Sequence, residues 1–303
     1  MITKIFGTGG IGTGIFFQLS DNRPISRDES RAAVLTDFKD YCKGHIIMHY
    51  VSVLSPGAKA YMLGMVGRDE PGRGLIAEMQ AAGIDTRYVK VTDAAPTMFS
   101  VCYQFPDSAG GNLTASNSAC GLVTPAYMDE CAVEIDANSL VLAAPEVPLD
   151  SRIRLLEIGR ERGAATVASF LSAEAADFEK AGGFALADII SINADEARAV
   201  CGDGIQHAAQ KIVAANPAIK LAITEGKNGS HLFESGEYTH IPCFPVDKVV
   251  STAGAGDAFL GGLVAAVIAG KNFRDAAKYG AAAARLAVMS PNTIAETVTV
   301  EAI

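Results

Sequence analysis

Two glycine-rich stretches of the chain are candidates for holding a phosphate group. GTGGIG spans Gly7–Gly12 near the start of the sequence, and STAGAGDAFLGG spans Ser251–Gly262 near its end. Glycine-rich turns that open a helix bind anions, because the first backbone N–H groups of a helix have no acceptor within it. The two stretches predict different chemistries, a dinucleotide-dependent oxidoreductase for the first and phosphoryl transfer for the second.

GTGGIG fits the dinucleotide-binding pattern G-x-G-x-x-G, but the residues after it do not continue that pattern. The pattern requires a helix and then a second strand ending in an acidic residue about 20 positions on. Here TGIFFQLS leads into DNRPISRDES, where Pro24 and several turn formers stand in place of the required helix and second strand. Asp28 does not follow an apolar run, so it is not the acidic residue that ends such a strand. We therefore interpret GTGGIG as a glycine turn leaving the first strand, and place an NAD-dependent oxidoreductase last among the candidate functions.

The second stretch opens a long helical segment, AGDAFLGGLVAAVIAG, whose first turn carries no bulky side chain. The N–H groups of Ala255, Gly256 and Asp257 would converge there on a phosphate, whose charge the helix dipole favours. An acidic residue in a first turn is often only a partner of the dipole. Because a carboxylate beside a phosphate is repelled by it, we favour a catalytic role, in which Asp257 accepts the proton of an attacking hydroxyl.

The elements that must position these residues alternate along the chain between strands and helices. The predicted strands are ITKIF, AYMLGMVG, SLVLAAP, ATVASFL, ADIISI and KLAIT, and the helices between them include PGRGLIAEMQAAG, LDSRIRLLEIGRERG and GIQHAAQKIVAAN. Gly83 and Gly163 follow the first two of these helices, where a left-handed C-cap residue is expected. The alternation predicts an α/β fold with a central, mostly parallel sheet flanked by helices.

Two segments interrupt this alternation, residues 12 to about 35 and residues 96 to about 118. In the second, FSVCYQF and NLTAS flank the turn-forming PDSAGG, which predicts a β-hairpin. Neither segment is long enough to bury a core alone, so we expect them to form a small β-sheet that lies over the main domain as a lid. The sequence contains no linker, and we expect one α/β domain over residues 1–303.

The composition is that of an ordinary globular protein. The chain has 303 residues, of which 49% are hydrophobic and 19% charged, and a formal net charge of −9. A nucleic-acid partner is not expected, because proteins that bind the phosphate backbone carry a basic patch. The sequence shows neither a membrane-spanning apolar run nor a signal peptide, so we expect a cytoplasmic protein without a membrane partner.

Cysteine and histidine spacing does not predict a metal centre. The six cysteines contain no C-x-x-C pair, which indicates free thiols in a reducing compartment. His45 and His49 stand four residues apart and would share a helical face, but their apolar segment supplies no further ligand. They are expected to be helix residues at the boundary of the core.

The late glycine stretch resembles the C-terminal signature of the PfkB/ribokinase family of carbohydrate and nucleoside kinases, D-T-x-G-A-G-D followed by an aromatic residue and glycines. Residues 252–257 match six of its seven positions, and Ser251 replaces the usual first aspartate. The resemblance implies a ribokinase-like Rossmann-type sandwich with a small β-sheet lid. It also implies transfer of the γ-phosphoryl group from ATP, with Mg²⁺, to a hydroxyl of a sugar or sugar derivative. A nucleoside kinase and a catalytically silent ligand-binding relative remain alternatives.

Other pieces of the sequence match the family in order and spacing. The run from Gly64 to Gly72, with the later Gly83–Asp85, is similar to a glycine-rich run of the family. NADE, Asn193 to Glu196, is similar to the family motif N-x-x-E. TEGKNG, Thr224 to Gly229, is similar to the family motif T-x-G-x-x-G. The implied catalytic base is Asp257, the anion hole consists of Gly254, Ala255 and Gly256, and Glu196 organises Mg²⁺ through water. The residues expected to bind the nucleotide are Asn193, Thr224, Gly226, Gly229, Thr252 and Asn292.

The pattern that recognises the acceptor departs from the family. Sugar kinases of the family usually carry an aspartate soon after the first strand and a G-G-x-x-x-N run, whereas KGHIIMHY offers Met48 or His49 at the asparagine position. The remaining candidates for the substrate site are Gly9, Gly10, Asn22, Arg23, Arg27, Asn112 and Asn117. Arginines among them would suit an anionic acceptor, although a solvated pair of Arg27 and Asp28 would look the same in sequence.

Two further expectations follow from the resemblance. The family aspartate that Ser251 replaces often helps to hold an activating K⁺, and a serine hydroxyl is a weaker, uncharged ligand. We therefore expect weak dependence on monovalent cations. Exposed lid edges often pair in this family, so a homodimer through the lid is expected.

Overall fold

The computed structural model describes residues 1–37, 41–107 and 109–303. In chain order its strands are β1 (Lys4–Thr8), β2 (Gly12–Gln18), β3 (Val34–Asp37), β4 (Lys59–Gly67), β5 (Ile84–Asp85), β6 (Val89–Thr92), β7 (Met98–Gln104), β8 (Gly110–Thr114), β9 (Ser139–Ala143), β10 (Ala165–Ala168), β11 (Ile189–Asn193), β12 (Lys220–Thr224), β13 (Ser230–Glu234) and β14 (Glu237–Ile241). The helices are α1 (Lys43–Leu54), α2 (Glu70–Ala81), α3 (Pro125–Cys131), α4 (Leu149–Arg162), α5 (Ala175–Lys180), α6 (Gly183–Leu186), α7 (Ala194–Cys201), α8 (Ile205–Ala215), α9 (Ala255–Ile268) and α10 (Phe273–Val288).

The large sheet has the strand order β14-β13-β12-β11-β10-β9-β1-β4, with β5 and β6 both paired to β4. Every pair from β12 to β4 is parallel, whereas β13 and β14 are antiparallel. Parallel strands are covered on both faces and read as continuous apolar runs, as in β9, where SLVLA is buried throughout. The predicted α/β fold with a mostly parallel sheet is confirmed.

Helices flank the large sheet. Helix α4 packs on β9 and β10, α7 packs against α8, and α9 packs against both α1 and α10. The predicted left-handed C-caps are present, with φ of 82° at Gly83 and 70° at Gly163. No helix in the described part of the chain combines the length and the apolar character needed to cross a membrane.

Helix α9 is apolar around its whole circumference because it is enclosed by other helices. Residues from Ala258 to Ala266 are buried. A Cβ on Gly261 would lie 2.5 Å from the Cβ of Tyr50 in α1, and a Cβ on Gly262 would lie 2.7 Å from the Cβ of Ala283 in α10. Glycine at these two positions lets three helices approach closely, which packs α9 between α1 and α10.

The two interrupting segments form a separate small sheet with the order β3-β2-β7-β8. The predicted hairpin is present as the antiparallel pair β7–β8, and β2 pairs parallel to β7. Ser108, in the predicted turn of this hairpin, lies outside the described residues. The small sheet is confirmed, and its action as a lid stays a prediction.

Candidate active site

The carboxyl ends of the parallel strands meet at one edge of the large sheet, where α/β proteins bind ligands. Asn193 is the last residue of β11 and Thr224 the last residue of β12. A pocket at this edge is lined by residues that include Asn193, Glu196, Thr224, Gly256 and Asp257. The structure therefore brings the predicted base, the predicted metal-organising acid and part of the predicted anion hole together.

The start of α9 depends on a glycine. Gly254 is the N-cap residue of α9, in the left-handed conformation with φ of 74°. A Cβ at this position would lie 2.6 Å from the backbone oxygen of Thr293. Both the backbone conformation and the contact require glycine, so the sequence GAGD can turn directly from an extended segment into a helix.

One of the three N–H groups predicted to bind a phosphate already has an acceptor within the protein. The N–H of Ala255 donates to the backbone oxygen of Thr252 at 3.4 Å, so it is partly engaged. The N–H groups of Gly256 and Asp257 follow in the first turn of α9, where helix geometry supplies no acceptor. A Cβ on Gly256 would meet nothing within 4 Å, so open space lies in front of this turn. These two N–H groups are the main donors that the helix presents to an anion.

Asp257 forms an ion pair that the sequence analysis did not find. Its Oδ1 lies 3.5 Å from Nζ of Lys43, and the two side chains expose 12% and 32% of their surfaces. Burial raises the pKa of Asp257, and the neighbouring ammonium group opposes that rise. In turn, Asp257 raises the pKa of Lys43, so the lysine stays protonated. Lys43 lies in the first turn of α1, where the helix dipole disfavours a cation, and that unusual position was the available sequence signal.

Glu146 is a second site residue that the sequence analysis missed. It follows Pro145, which lines the pocket, and has φ of 75°, an unusual value for a residue other than glycine. Its Oε2 accepts a hydrogen bond of 2.8 Å from the backbone N–H of Lys43. Strained backbone of this kind concentrates at functional sites. Glu146 therefore places a carboxylate beside the pocket while it caps the start of α1.

The early glycine stretch joins β1, α1 and the end of β9 through close backbone contacts. A Cβ on Gly44 would lie 2.5 Å from the carbonyl carbon of Gly9, and a Cβ on Gly10 would lie 2.3 Å from Oε2 of Glu146. The N–H of Gly10 donates to the backbone oxygen of Pro145 at 2.9 Å. After Gly12 the chain forms strand β2 and no helix, which confirms a glycine turn rather than a dinucleotide-binding loop.

NADE forms a capping box at the start of α7. The side chain of Asn193 accepts from the N–H groups of Asp195 and Glu196, and Oε2 of Glu196 accepts from the N–H of Asn193 at 2.8 Å. Glu196 is also buried, and this burial raises its pKa, while Lys43 opposes the rise. The capping arrangement thus fixes the Glu196 carboxylate in the pocket. Glu196 can therefore cap α7 and still be available to organise a metal ion.

The predicted nucleotide-binding residues are only partly gathered at the pocket. Thr224 lines it, whereas Gly226 and Gly229, with φ of 53° and 86°, form the tight turn into β13. Thr252 is exposed just before α9. Asn292 donates from Nδ2 to Oε1 of Glu296 at 3.4 Å. It precedes Thr293, whose backbone oxygen lies close to Gly254, the N-cap residue of α9.

The lid residues predicted to contact the acceptor are not brought to the pocket. In the described part of the chain, its lining includes none of Asn22, Arg23, Arg27, Asn112 and Asn117. Asn22 accepts a hydrogen bond from the N–H of Asp107, which links the two lid segments. Arg23 forms an ion pair of 2.8 Å with Glu29. Contact between these side chains and an acceptor stays a prediction.

The family follows from a comparison with known proteins. Residues 47–299 match the pfkB family carbohydrate kinase model. The chain belongs to the pfkB family. A ribokinase of Bacillus subtilis is 26% identical over 271 residues, which cover 89% of this chain and 88% of that one. A deoxyribokinase of Salmonella typhimurium is 26% identical over 231 residues, 74% of each chain.

Solved structures establish the pfkB-family fold of the chain. The ribokinase of Giardia lamblia superposes with a TM-score of 0.86 at 20% identity, covering 99% of this chain and 98% of that one. An Arabidopsis thaliana ribokinase complexed with ribose and ATP gives a TM-score of 0.76 at 20% identity, with coverage of 100% and 96%. A nucleoside kinase of Burkholderia thailandensis complexed with inosine gives 0.80 at 18% identity, with coverage of 98% and 94%.

Membership of the pfkB family makes the protein an ATP-dependent phosphotransferase with an alcohol group as acceptor. The site fits this chemistry, because the first turn of α9 supplies N–H donors to a phosphate. Among the described residues, no group of three or more His, Cys, Asp and Glu side chains is arranged to hold a metal ion. The Glu196 carboxylate, which lines the pocket, suits Mg²⁺, because this ion is usually held by phosphates, waters and one or two carboxylates.

Proposed function

We propose that the protein transfers the γ-phosphoryl group of ATP to a hydroxyl of a neutral sugar or sugar derivative. One observation carries this proposal: the Asp257 carboxylate lies in the first turn of α9, in the same pocket as Glu196 and within an ion pair with Lys43. A base, an anion-binding helix start and a second carboxylate are sufficient for phosphoryl transfer, which depends on positioning and charge stabilisation.

A neutral acceptor is favoured by the charges around the pocket. The carboxylates of Asp257, Glu196 and Glu146 lie at or beside it, and Lys43 is the cation that faces them. On the acceptor side a hydroxyl can donate to the Glu146 carboxylate, whereas an anionic acceptor would be repelled by it. The phosphates of ATP would instead lie at the N–H groups of α9, with Mg²⁺ offsetting their charge. Arg23, one of the arginines considered for an anionic acceptor, is paired with Glu29. A nucleoside, which is also neutral, remains the second candidate acceptor.

In the proposed mechanism each residue has a defined task. Asp257 takes the proton of the acceptor hydroxyl, and the oxygen of that hydroxyl forms a bond to the γ-phosphorus of ATP. The bond between the γ-phosphorus and the β–γ bridging oxygen breaks at the same time, so that ADP leaves. Lys43 keeps Asp257 ionised before the transfer. The N–H groups of Gly256 and Asp257, at the glycine turn of Gly254–Gly256, stabilise the negative charge of the transferred group.

The metal and the nucleotide are assigned to the β11–β12 side of the pocket. Mg²⁺ would supply positive charge that offsets the phosphate oxygens, and Glu196 would hold it through water while Asn193 steadies the phosphates. Thr224, Gly226 and Gly229 would follow the phosphates and ribose, with Thr252 and Asn292 completing the nucleotide site. The acceptor would lie on the side of Gly9, Gly10 and Glu146, with Asp257 between the two substrates.

The small sheet is proposed to act both as a lid and as a dimer interface. Val34 and Leu113 expose 66% and 74% of their surfaces on this sheet, and β8 is exposed along its length. An exposed edge with apolar side chains is a suitable surface for pairing with a second copy. The free cysteines and the use of ATP support a cytoplasmic location.

The test is ADP formation from Mg-ATP across neutral sugars, sugar phosphates, polyols and nucleosides, with wild type compared with Asp257→Asn. We expect turnover with a neutral acceptor and a loss of about 10²- to 10⁴-fold in the variant, the usual contribution of a general base. Asp275→Asn is a matched control, because Asp275 is also an acidic residue in the first turn of a helix, outside the site. It should leave turnover unchanged.

Two results would contradict the proposal. Turnover in Asp257→Asn equal to that of wild type would exclude Asp257 as the general base. Binding of ATP without turnover of any acceptor would favour the catalytically silent relative.

A further inference from the structure

Ser169 carries a buried hydroxyl that is not explained by the fold. Within the described residues its Oγ is enclosed and has no hydrogen-bond partner, although the residue lines the pocket that contains Asp257 and Glu196. An unpaired buried hydroxyl is destabilising, and the large majority of buried polar side chains find a partner. A hydroxyl that is unpaired at a pocket wall is therefore suited to bind a ligand.

The strand order places Ser169 between the two substrates of the proposed function. Ser169 directly follows β10, which lies between β9 and β11 in the sheet. The chain after β9 leads to Glu146 on the acceptor side, whereas β11 ends at Asn193 on the nucleotide side. Ser169 also lies one residue beyond the register pair of Ala168 with Ile190, next to Ser191, another lining residue.

A buried ion pair fixes the backbone around Ser169. Arg152 is fully buried, donates from Nη2 to the backbone oxygen of Ser169 at 2.7 Å, and donates from Nη1 to both oxygens of Glu174 at 2.8 Å. Glu174 also accepts from the N–H of Leu171 at 2.9 Å. Burying such a pair has a high desolvation cost, and here it anchors the chain on both sides of Phe170. The pocket wall that carries Ser169 is thus held in place before any ligand binds.

We propose that Ser169 Oγ donates a hydrogen bond to the phosphate chain of ATP at the group that is transferred. The inference rests on the proposed function and adds a substrate-contacting residue to it. A hydroxyl is suited to this position, because it donates to a phosphate oxygen without adding a charge beside the carboxylates of Asp257 and Glu196. Ser169 lies outside every glycine-rich or acidic motif of the sequence, so no motif predicts this contact.

The test compares Ser169→Ala with Ser118→Ala. Ser118 also has a buried, unpaired Oγ within the described residues, and it is not among the residues that line the pocket, so it is a matched control. Binding of ATP and of AMP is measured by titration calorimetry with Mg²⁺, together with kcat and KM for both substrates. One hydrogen bond to a charged group corresponds to about a 10- to 100-fold effect.

We expect Ser169→Ala to lose affinity for ATP, or kcat/KM for ATP, by about 10- to 100-fold. Its affinity for AMP, which lacks the transferred phosphate, should be unchanged. Ser169→Thr, which keeps the hydroxyl, should recover part of the loss, and Ser118→Ala should behave as wild type. Unchanged ATP binding and kinetics in Ser169→Ala would overturn the inference.

Two other patterns in Ser169→Ala would also overturn it. A loss confined to KM for the acceptor would mean that the hydroxyl binds the other substrate. An equal loss of ATP and AMP affinity would mean a structural role. If wild type turned over no acceptor, the proposed function would fail, but the comparison of ATP with AMP would still decide the role of Ser169.

Discussion

Replacing Lys43 by methionine should shift the pH dependence of catalysis, because Lys43 is the cation that faces the proposed base. Burial raises the pKa of Asp257, and Lys43 opposes that rise across 3.5 Å. A general base acts in its deprotonated form, so a higher pKa moves the acidic limb of the pH–rate profile to higher pH. We expect the limb in Lys43→Met to move in this direction, with activity recovered as the pH increases.

The size of the shift follows from Coulomb's law. At 3.5 Å, two unit charges interact by about 5 kcal/mol at an effective dielectric constant of about 20, and by about 1 kcal/mol in bulk water. About 1.4 kcal/mol corresponds to one pKa unit. Because the Lys43 side chain is 32% exposed, solvent screens part of the attraction. We therefore expect a shift of about one to two units.

The assay is the pH profile of kcat/KM for the acceptor at saturating ATP, followed from the optimum down its acidic limb. Lys59→Met is the control, because Lys59 pairs with Asp85 at 3.4 Å on the surface, outside the site. A uniform fall in rate without displacement of the limb would show that Lys43 only binds substrate. An acidic limb at the same pH in wild type and Lys43→Met would refute the electrostatic argument.

Three further predictions concern stability and cation dependence. Gly10→Ala should lower the free energy of unfolding by about 1–3 kcal/mol, because its Cβ would lie 2.8 Å from the Cβ of Glu146 and 2.9 Å from the Cβ of Cys42. Gly74→Ala, in open space within α2, should instead raise the free energy of unfolding by up to about 1 kcal/mol. If urea unfolding gave the same change in stability for the two variants, both predictions would be contradicted. Burial lowers the pKa of His45 from 6.5 to about 3, so the unfolded chain binds the proton better and stability falls below about pH 6.5. The loss from His45 at about pH 5 should be about 2 kcal/mol, and His49, whose pKa burial lowers to about 4, should add about as much. His45→Met should therefore remove about half of the total loss, and an undiminished loss in the variant would exclude His45 as a source. Because Ser251 offers K⁺ no charge, replacing choline with K⁺ should change turnover little, and a large rise would contradict this.

Local sequence patterns predicted the elements well because they depend on neighbouring residues. KLAIT coincides with β12, and LDSRIRLLEIGRER with α4, since apolar runs, helical periodicity and a terminal glycine define such elements over short distances. Asp257 was predictable in the same way, because the glycine turn, the helix start and the carboxylate are contiguous in GAGD. The resemblance to the pfkB family rested on that run and is confirmed.

Side chains that reach the pocket from distant parts of the chain could not be found in this way. Lys43 and Glu146 meet near Asp257 only because α1, the end of β9 and the start of α9 converge at one edge of the large sheet. The hydroxyl of Ser169 is likewise notable only because the folded chain buries it without a partner. Such contacts depend on strand order, and no local pattern encodes it.

The sequence by itself determined the α/β fold, the kinase family and the position of the proposed base, because each depends on residues close together in the chain. The residues after GTGGIG already predicted a glycine turn, whereas only the structure shows Gly44 packed against Gly9 and a carboxylate of Glu146 beside Gly10. The ion pair of Asp257 with Lys43 was decided by tertiary structure alone. The physical reason is that burial and electrostatic attraction act between atoms that are close in space, and only the folded chain brings these residues together.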